Sequence, residues 1–133
     1  MAETRVTFAL VCYEHAEFVG EAVASALAQE GPPLDIVISD DASPDGTWAE
    51  IEKAVAGYRG PHRVRLNRNR RNLGMDHYNR ILDLAEGEIV VIGHGDDVAL
   101  PQRVRRLVET MEAEGVSLVT SDAHVTDADR RRT

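Results

Sequence analysis

Short apolar runs alternate with helical stripes along this chain, and the principal runs end in acid. Val6 to Cys12 is β-rich and apolar on both faces, as a strand buried inside a parallel sheet would be. Leu34 to Ser39 repeats the pattern and stops at Asp40-Asp41. Ile89 to Ile92 looks the most buried of all and runs into Gly93-His94-Gly95-Asp96-Asp97. Strands separated by helical stripes imply crossover connections, and crossovers imply a parallel sheet covered on both faces.

The intervening segments support this. Phe18, Val19, Ala22, Val23, Ala26 and Leu27 recur at helical spacing before Gly31-Pro32-Pro33 stops the helix. Ser43-Pro44-Asp45-Gly46 is turn chemistry, and Thr47 with Glu50 predicts a capping box for a helix turning Trp48, Ile51, Val55 and Tyr58 inward. His62 to Leu66 alternates like a half-exposed strand, and a helix with Met75, Tyr78, Leu82 and Ala85 on its inner side follows Asn72-Leu73-Gly74. Pro101 suits the first position of a helix carrying Val104, Leu107, Val108 and Met111, and Val116 to Thr120 reads as a fifth strand. The expectation is a doubly wound, mostly parallel α/β fold of about five strands and four helices, spanning residues 1–126. Residues 127–133 are expected to be a disordered tail.

A chain of 133 residues fits one such domain, and its net charge of −8 argues against nonspecific binding to nucleic acid or to an anionic membrane. No apolar run approaches the roughly 20 residues that a membrane span needs. Cys12 is the only cysteine, so no internal disulfide is available and a cytoplasmic location is expected. Arg63, Arg65, Arg68, Arg70 and Arg71 crowd one stretch, which reads as solvated strand and loop, with bidentate contact to phosphate as the functional alternative. His15, His62, His77 and His124 lie at no metal-ligand spacing and are expected on the surface.

In open α/β sheets ligands bind beyond the carboxyl ends of the strands, where strand order reverses. Those ends carry Tyr13 and Glu14, then Asp40 and Asp41, then His94, Asp96 and Asp97. Clustered carboxylates raise each other's pKa unless a cation or hydrogen-bond donors offset them. Mg2+ or Mn2+, which favours carboxylate oxygens and bridges to substrate phosphates, is the natural partner. A glycine-rich phosphate cradle is absent, because Gly93-x-Gly95 is followed by Val98 where the dinucleotide fingerprint needs glycine. A phospho-acceptor receiver domain also carries acidic strand ends, but strand three here ends in Asn67 and the only lysine is Lys53.

From Val6 to Asp122 the chain resembles the inverting, GT-A-fold glycosyltransferases of family 2. Val11-Cys12-Tyr13-Glu14 stands where those proteins have Pro-Thr-Tyr-Asn. Asp40-Asp41-Ala42-Ser43-Pro44-Asp45-Gly46-Thr47 matches their Asp-Asp-Gly-Ser-x-Asp-Gly-Thr signature. Asn72-Leu73-Gly74 and Gly87-Glu88-Ile89-Val90 fit the loop and strand that follow. The resemblance implies that Val11, Cys12 and Tyr13 line the nucleotide base, with Tyr13 stacking on it, and that Asp41 accepts its imide N–H, favouring UDP or dTDP. It further implies that Asp96 binds the Mn2+ or Mg2+ bridging the diphosphate, with Gly95 and Asp97 beside the donor. His94 stands where the family has an aspartate and is the candidate second ligand. Glu14 replaces Asn, and Ala42 replaces Gly, so a negative φ is expected at Ala42.

The resulting expectation is a nucleotide-sugar-binding domain of a glycosyltransferase, moving a sugar from a nucleotide diphosphate to an acceptor hydroxyl with inversion. The family's general base and acceptor pocket are expected beyond residue 133. The alternative is a noncatalytic module of the same fold that binds a nucleotide or a protein.

Overall fold

The computed structural model describes residues 4–126, so the expectation for 127–133 lies outside the described residues. Four strands form one sheet: β1 (Val6–Cys12), β2 (Asp35–Asp40), β3 (Arg63–Arg68) and β4 (Ile89–His94). Their order is β3-β2-β1-β4 and every pairing is parallel. Helices α1 (Val19–Leu27), α2 (Thr47–Val55), α3 (His77–Leu84) and α4 (Arg103–Glu114) connect or follow them, with a short 3-10 turn at Gly74–Asp76. This is the doubly wound arrangement the alternation predicts. Strand order reverses between β1 and β4, which places the expected crevice there.

The two faces of β1 divide the core. Phe8, Leu10 and Cys12 pack with Val19, Val23 and Ala26 of α1, Ile51 of α2 and Val104 of α4. Ala9 and Val11 face the other way, onto Val37, Ile81 and the partly buried Tyr78 and Leu84 of α3. Both central strands are buried along nearly their whole length because helices cover both of their faces.

Several expectations fail for physical reasons. The fifth strand does not form: Val116 to Thr120 has no strand pairing, and Leu118 is 79% exposed. Residues 118–121 instead flank a cavity of about 310 Å³ against β4 and α4. A β-rich composition marks a segment that fits a pleated surface, and no described neighbour provides one here. The edge strand β4 is mostly half-buried, so the most apolar run is not the most buried.

The capping box is also replaced. Thr47 is the first residue of α2, and its N–H donates to Asp45 Oδ1 at 3.0 Å, so Asp45 does the capping. Pro101 lies ahead of the cap residue Gln102 rather than inside α4. On α3 the inward positions are His77 and Ile81, whereas Met75 and Leu82 are exposed; the 3-10 turn before α3 shifts the stripe.

Ala42 adopts φ +59°, in the left-handed region, contrary to the expected negative value, and Glu14 does the same at +55°. A side chain with Cβ costs roughly 1–2 kcal/mol there. Ala42→Gly is therefore expected to stabilise the fold by about 1 kcal/mol after glycine's extra chain entropy is deducted. Urea denaturation checks it: an unmoved or lowered midpoint would show that the Ala42 methyl packs well enough to offset the strain.

Candidate functional site

The parallel registers bring the acidic strand ends to one edge. Cys12 pairs with Asp40 across β1 and β2, and Val11 pairs with His94 across β1 and β4. Two backbone bonds join the loops beyond: Asp41 N–H donates to the Cys12 carbonyl at 2.9 Å, and Gly95 N–H to the Val11 carbonyl at 3.0 Å. Val11 and Cys12 are buried and use these carbonyls as staples. Their part at the edge is to hold the two acidic loops beside β1.

Tyr13 projects from this edge, 40% exposed, and the neighbouring Glu14 carboxylate raises its phenol pKa above the ordinary range. Gly95 passes so close to β1 that a Cβ there would lie 2.6 Å from His15 Nδ1 and 3.0 Å from Cys12 Sγ. Only glycine fits that approach. The Cys12 thiol is buried and its pKa is pushed up to about 12, first by burial and then by Asp40 and Asp96.

Asp41 is almost wholly enclosed. Its Oδ1 accepts from Asn69 Nδ2 at 2.9 Å and from the Leu73 N–H at 2.8 Å, and its Oδ2 accepts from the Gly74 N–H at 3.0 Å. The carboxylate thus ties down the loop from Asn69 to Gly74, and one Oδ2 lone pair is left over. The network continues inward. Because Asp41 can only accept, Asn69 turns its Nδ2 to Asp41 and its Oδ1 to Asn67 Nδ2 at 2.9 Å. Asn67 also donates to Ser39 Oγ at 2.9 Å, which leaves the Ser39 hydroxyl proton for His77 Nε2 at 2.7 Å.

His77 is therefore a buried, neutral ring rather than a surface histidine, and burial lowers its pKa below 6.5. His62 is buried as well: its Nδ1 accepts the Leu34 N–H at 3.0 Å, and Nε2 bonds the Gln29 carbonyl at 2.9 Å. The unfolded chain protonates His77 more readily than the folded one. Its contribution is fully present above about pH 6.5 and is lost as pH falls from there towards the lower folded pKa. The loss is at most about 1.4 kcal/mol per pH unit for one group. Urea midpoints of the wild type and of His77→Gln between pH 7.5 and 5 should diverge in slope, the variant being flatter. Parallel slopes would remove His77 as the source.

At β4 the expected metal residues are separated in their contacts. His94 shares a 2.8 Å hydrogen bond between its Nε2 and the Tyr78 hydroxyl, and its Nδ1 lies 3.8 Å from Asp97. Asp96 is half exposed, with Oδ2 3.7 Å from His15 Nε2. Among the described residues no three His, Cys, Asp or Glu side chains converge as a protein-only metal cage would require. Mg2+ and Mn2+ fit such a site when one or two carboxylates are completed by phosphate oxygens and water, and Asp96 with Asp97 offers that. Of the His94 ring nitrogens, Nε2 is taken by Tyr78, while Nδ1 faces Asp97 without a hydrogen bond.

Sequence reading missed His15, Ser43 and Thr47. Ser43 Oγ accepts the Glu14 N–H and Thr47 Oγ1 accepts the His15 N–H, each at 2.9 Å. The four-residue spacing of these two hydroxyls within the signature is the only local hint. Nothing near His15 announces that its ring faces Asp96. The arginine stretch divides: Arg65 pairs with Asp35 at 2.7 Å, and Arg68 stacks over Trp48 at 5.5 Å. Arg68, Arg70, Arg71 and Arg80 line a concavity of about 300 Å³ outside Asn67 and Asn69.

The parallel sheet with helices on both faces and acidic loops at its carboxyl edge is an α/β fold of the Rossmann-like kind. The chain belongs to glycosyl transferase family 2, whose family model matches residues 7–133. It is 35% identical over 127 residues to the succinoglycan biosynthesis protein ExoO of Rhizobium meliloti, covering 95% of this chain and 35% of that protein. It is 28% identical to the putative glycosyltransferase EpsE of Bacillus subtilis, over 81% of this chain and 38% of that one. Among solved structures it superposes on the mannosyltransferase PcManGT of Pyrobaculum calidifontis, in complex with GDP-Man and Mn2+, with TM-score 0.73 and 28% identity. That match covers 84% of this chain and 33% of the other. Staphylococcus aureus TarS 1-349 in complex with UDP-GlcNAc shares the fold at TM-score 0.70 and 23% identity, over 84% of this chain and 32% of that one. The chain therefore spans only about a third of the length of these proteins. No helix among the described residues is long and apolar enough to cross a membrane.

Proposed function

We propose that this glycosyltransferase domain binds the nucleotide diphosphate of a sugar donor in the crevice between the β1 and β4 loops, for transfer with inversion. The observation that carries the reading is the convergence of Tyr13, Asp41, Gly95, Asp96 and Asp97 on one sheet edge in a family 2 chain. Tyr13 offers an exposed ring on which a base stacks. Asp41 reaches a base N–H only through its remaining Oδ2 lone pair, since its other acceptor positions hold the Asn69–Gly74 loop. A uracil or thymine imide suits that acceptor, so UDP or dTDP is the favoured donor half.

Asp96, aided by Asp97, holds a Mn2+ or Mg2+, whose chemistry is to offset the charge that develops on the departing diphosphate. His94 is the candidate second ligand, through the Nδ1 that faces Asp97, while its Nε2 bonds Tyr78. Donor binding is the step assigned to this chain, which spans about a third of the length of the proteins it matches. Calorimetric titration with UDP, dTDP, CDP and GDP, with and without Mn2+, tests the reading. Heat of binding that needs Mn2+ and favours the uracil or thymine nucleotides is expected. Absence of nucleotide binding under all conditions would overturn it in favour of a noncatalytic protein-binding module.

A further inference from the structure

Three successive backbone amides after β1 find their acceptors on one turn, and the bonds run in a fixed direction. The Glu14 N–H donates to Ser43 Oγ and the His15 N–H to Thr47 Oγ1, each at 2.9 Å. The Ala16 N–H hydrogen-bonds Asp45, and this bond helps, after that of Thr47, to keep the Asp45 carboxyl below the usual range. Both hydroxyls spend their single proton on a carboxylate: Ser43 on Asp40, and Thr47 on Asp45. An ionised carboxylate accepts only, so each serine or threonine oxygen must turn its lone pairs towards the β1 loop. The amides need that help. Glu14 sits in the left-handed region without glycine's freedom, and its conformation persists only if its surroundings over-determine it.

The same clip reaches across the crevice. The His15 ring accepts the Tyr13 N–H at Nδ1, at 3.5 Å, and its Nε2 lies 3.7 Å from Asp96. The backbone of His15 is what Thr47 holds, so Tyr13 on one wall and Asp96 on the other are registered against a single turn.

We propose that Ser43 and Thr47 are positioning residues for the donor nucleotide, acting through the Glu14 and His15 amides, with Asp40 and Asp45 setting the direction of their hydroxyls. The proposal rests on donor binding between the β1 and β4 loops. Neither hydroxyl has to touch the ligand. Each pre-orders the Tyr13 loop, so that the nucleotide does not have to order it on binding.

Thr47→Val keeps the shape of the side chain and removes the acceptor, Thr47→Ser restores it, and Ser43→Ala tests the second bond. Amide exchange read by NMR is expected to accelerate at His15 in Thr47→Val and at Glu14 in Ser43→Ala. The core amides of β1 and β2 should keep wild-type rates, which separates loop release from unfolding. UDP affinity with Mn2+ should fall about 5- to 10-fold in each, the loss from one hydrogen bond, and recover in Thr47→Ser. Loop amides that exchange freely while UDP binds as in the wild type would overturn the positioning role. Unchanged exchange at Glu14 and His15 would overturn the clip itself. A wild-type chain that binds no nucleotide would defeat the donor reading and the positioning role together, and the exchange pattern would still decide the clip.

Discussion

Replacing Asp41 with alanine is expected to be the most destabilising single change at the edge, by about 3–5 kcal/mol. The figure comes from its partners. Asn69 Nδ2, Leu73 N–H and Gly74 N–H all lose their acceptor, in a site where Asp41 itself is only 3% exposed. Each buried donor left unsatisfied costs about 1–3 kcal/mol, and the loop recovers part of the sum by opening to water. Asp41→Asn should cost less, because its amide oxygen still serves two donors while its NH2 opposes the third. For a chain of this size the alanine variant should melt roughly 10–20 °C below the wild type. Calorimetric melting of both variants is the check. A drop of only a few degrees in Asp41→Ala would mean that the loop is not held by this carboxylate. The result also qualifies base recognition: any loss of UDP affinity in Asp41→Asn counts as base reading only if CDP affinity falls less.

Asp96→Ala should have the opposite profile, with little change in stability and a large change in binding. Its side chain is half exposed at the tip of the β4 loop, and that loop is held by backbone bonds, Gly95 N–H to Val11 and Asp97 N–H to the His94 carbonyl. Losing a partner that only orients a metal ligand typically costs roughly 10- to 100-fold in metal affinity. Removal of a ligand itself should reach at least the top of that range, so the Mn2+-dependent part of UDP binding is expected to vanish. Asp97→Ala should do less, since Asp97 projects further into solvent and faces His94. Mn2+-dependent binding that survives in Asp96→Ala would move the cation to Asp97 or to the phosphates alone.

The sheet was legible because apolar runs and helical stripes alternate without interruption, and because each main run ends in residues that strands disfavour. Where the reading failed, the deciding partner lay far away in sequence. Val116 to Thr120 has strand composition but no strand to pair with among the described residues, and composition cannot report a neighbour. On α3 the buried His77 bonds Ser39, 38 residues earlier, a partner that the helix's own stripe cannot report. Ala42 was expected at negative φ on intrinsic preference. The bonds of its two neighbours, Asp41 to the Leu73 and Gly74 amides and Ser43 to Asp40, override that preference. Tyr13, Asp41 and Asp96 could be nominated from their positions at strand ends, but their division of labour could not. Whether an aspartate faces a ligand or closes a loop depends on which donors the fold brings to it, as the three partners of Asp41 demonstrate.

The enclosed Cys12 has a practical consequence for following these loops in solution. With its pKa near 12 and no surface exposed, the thiol presents no thiolate to maleimides or nitroxide reagents at neutral pH. The native chain is thus a blank background for site-directed labelling. A cysteine introduced in place of the exposed Arg71, on the loop that Asp41 anchors, would carry a fluorophore or spin label alone. The opening of the Asn69–Gly74 loop could then be timed directly, without removing any residue of the core.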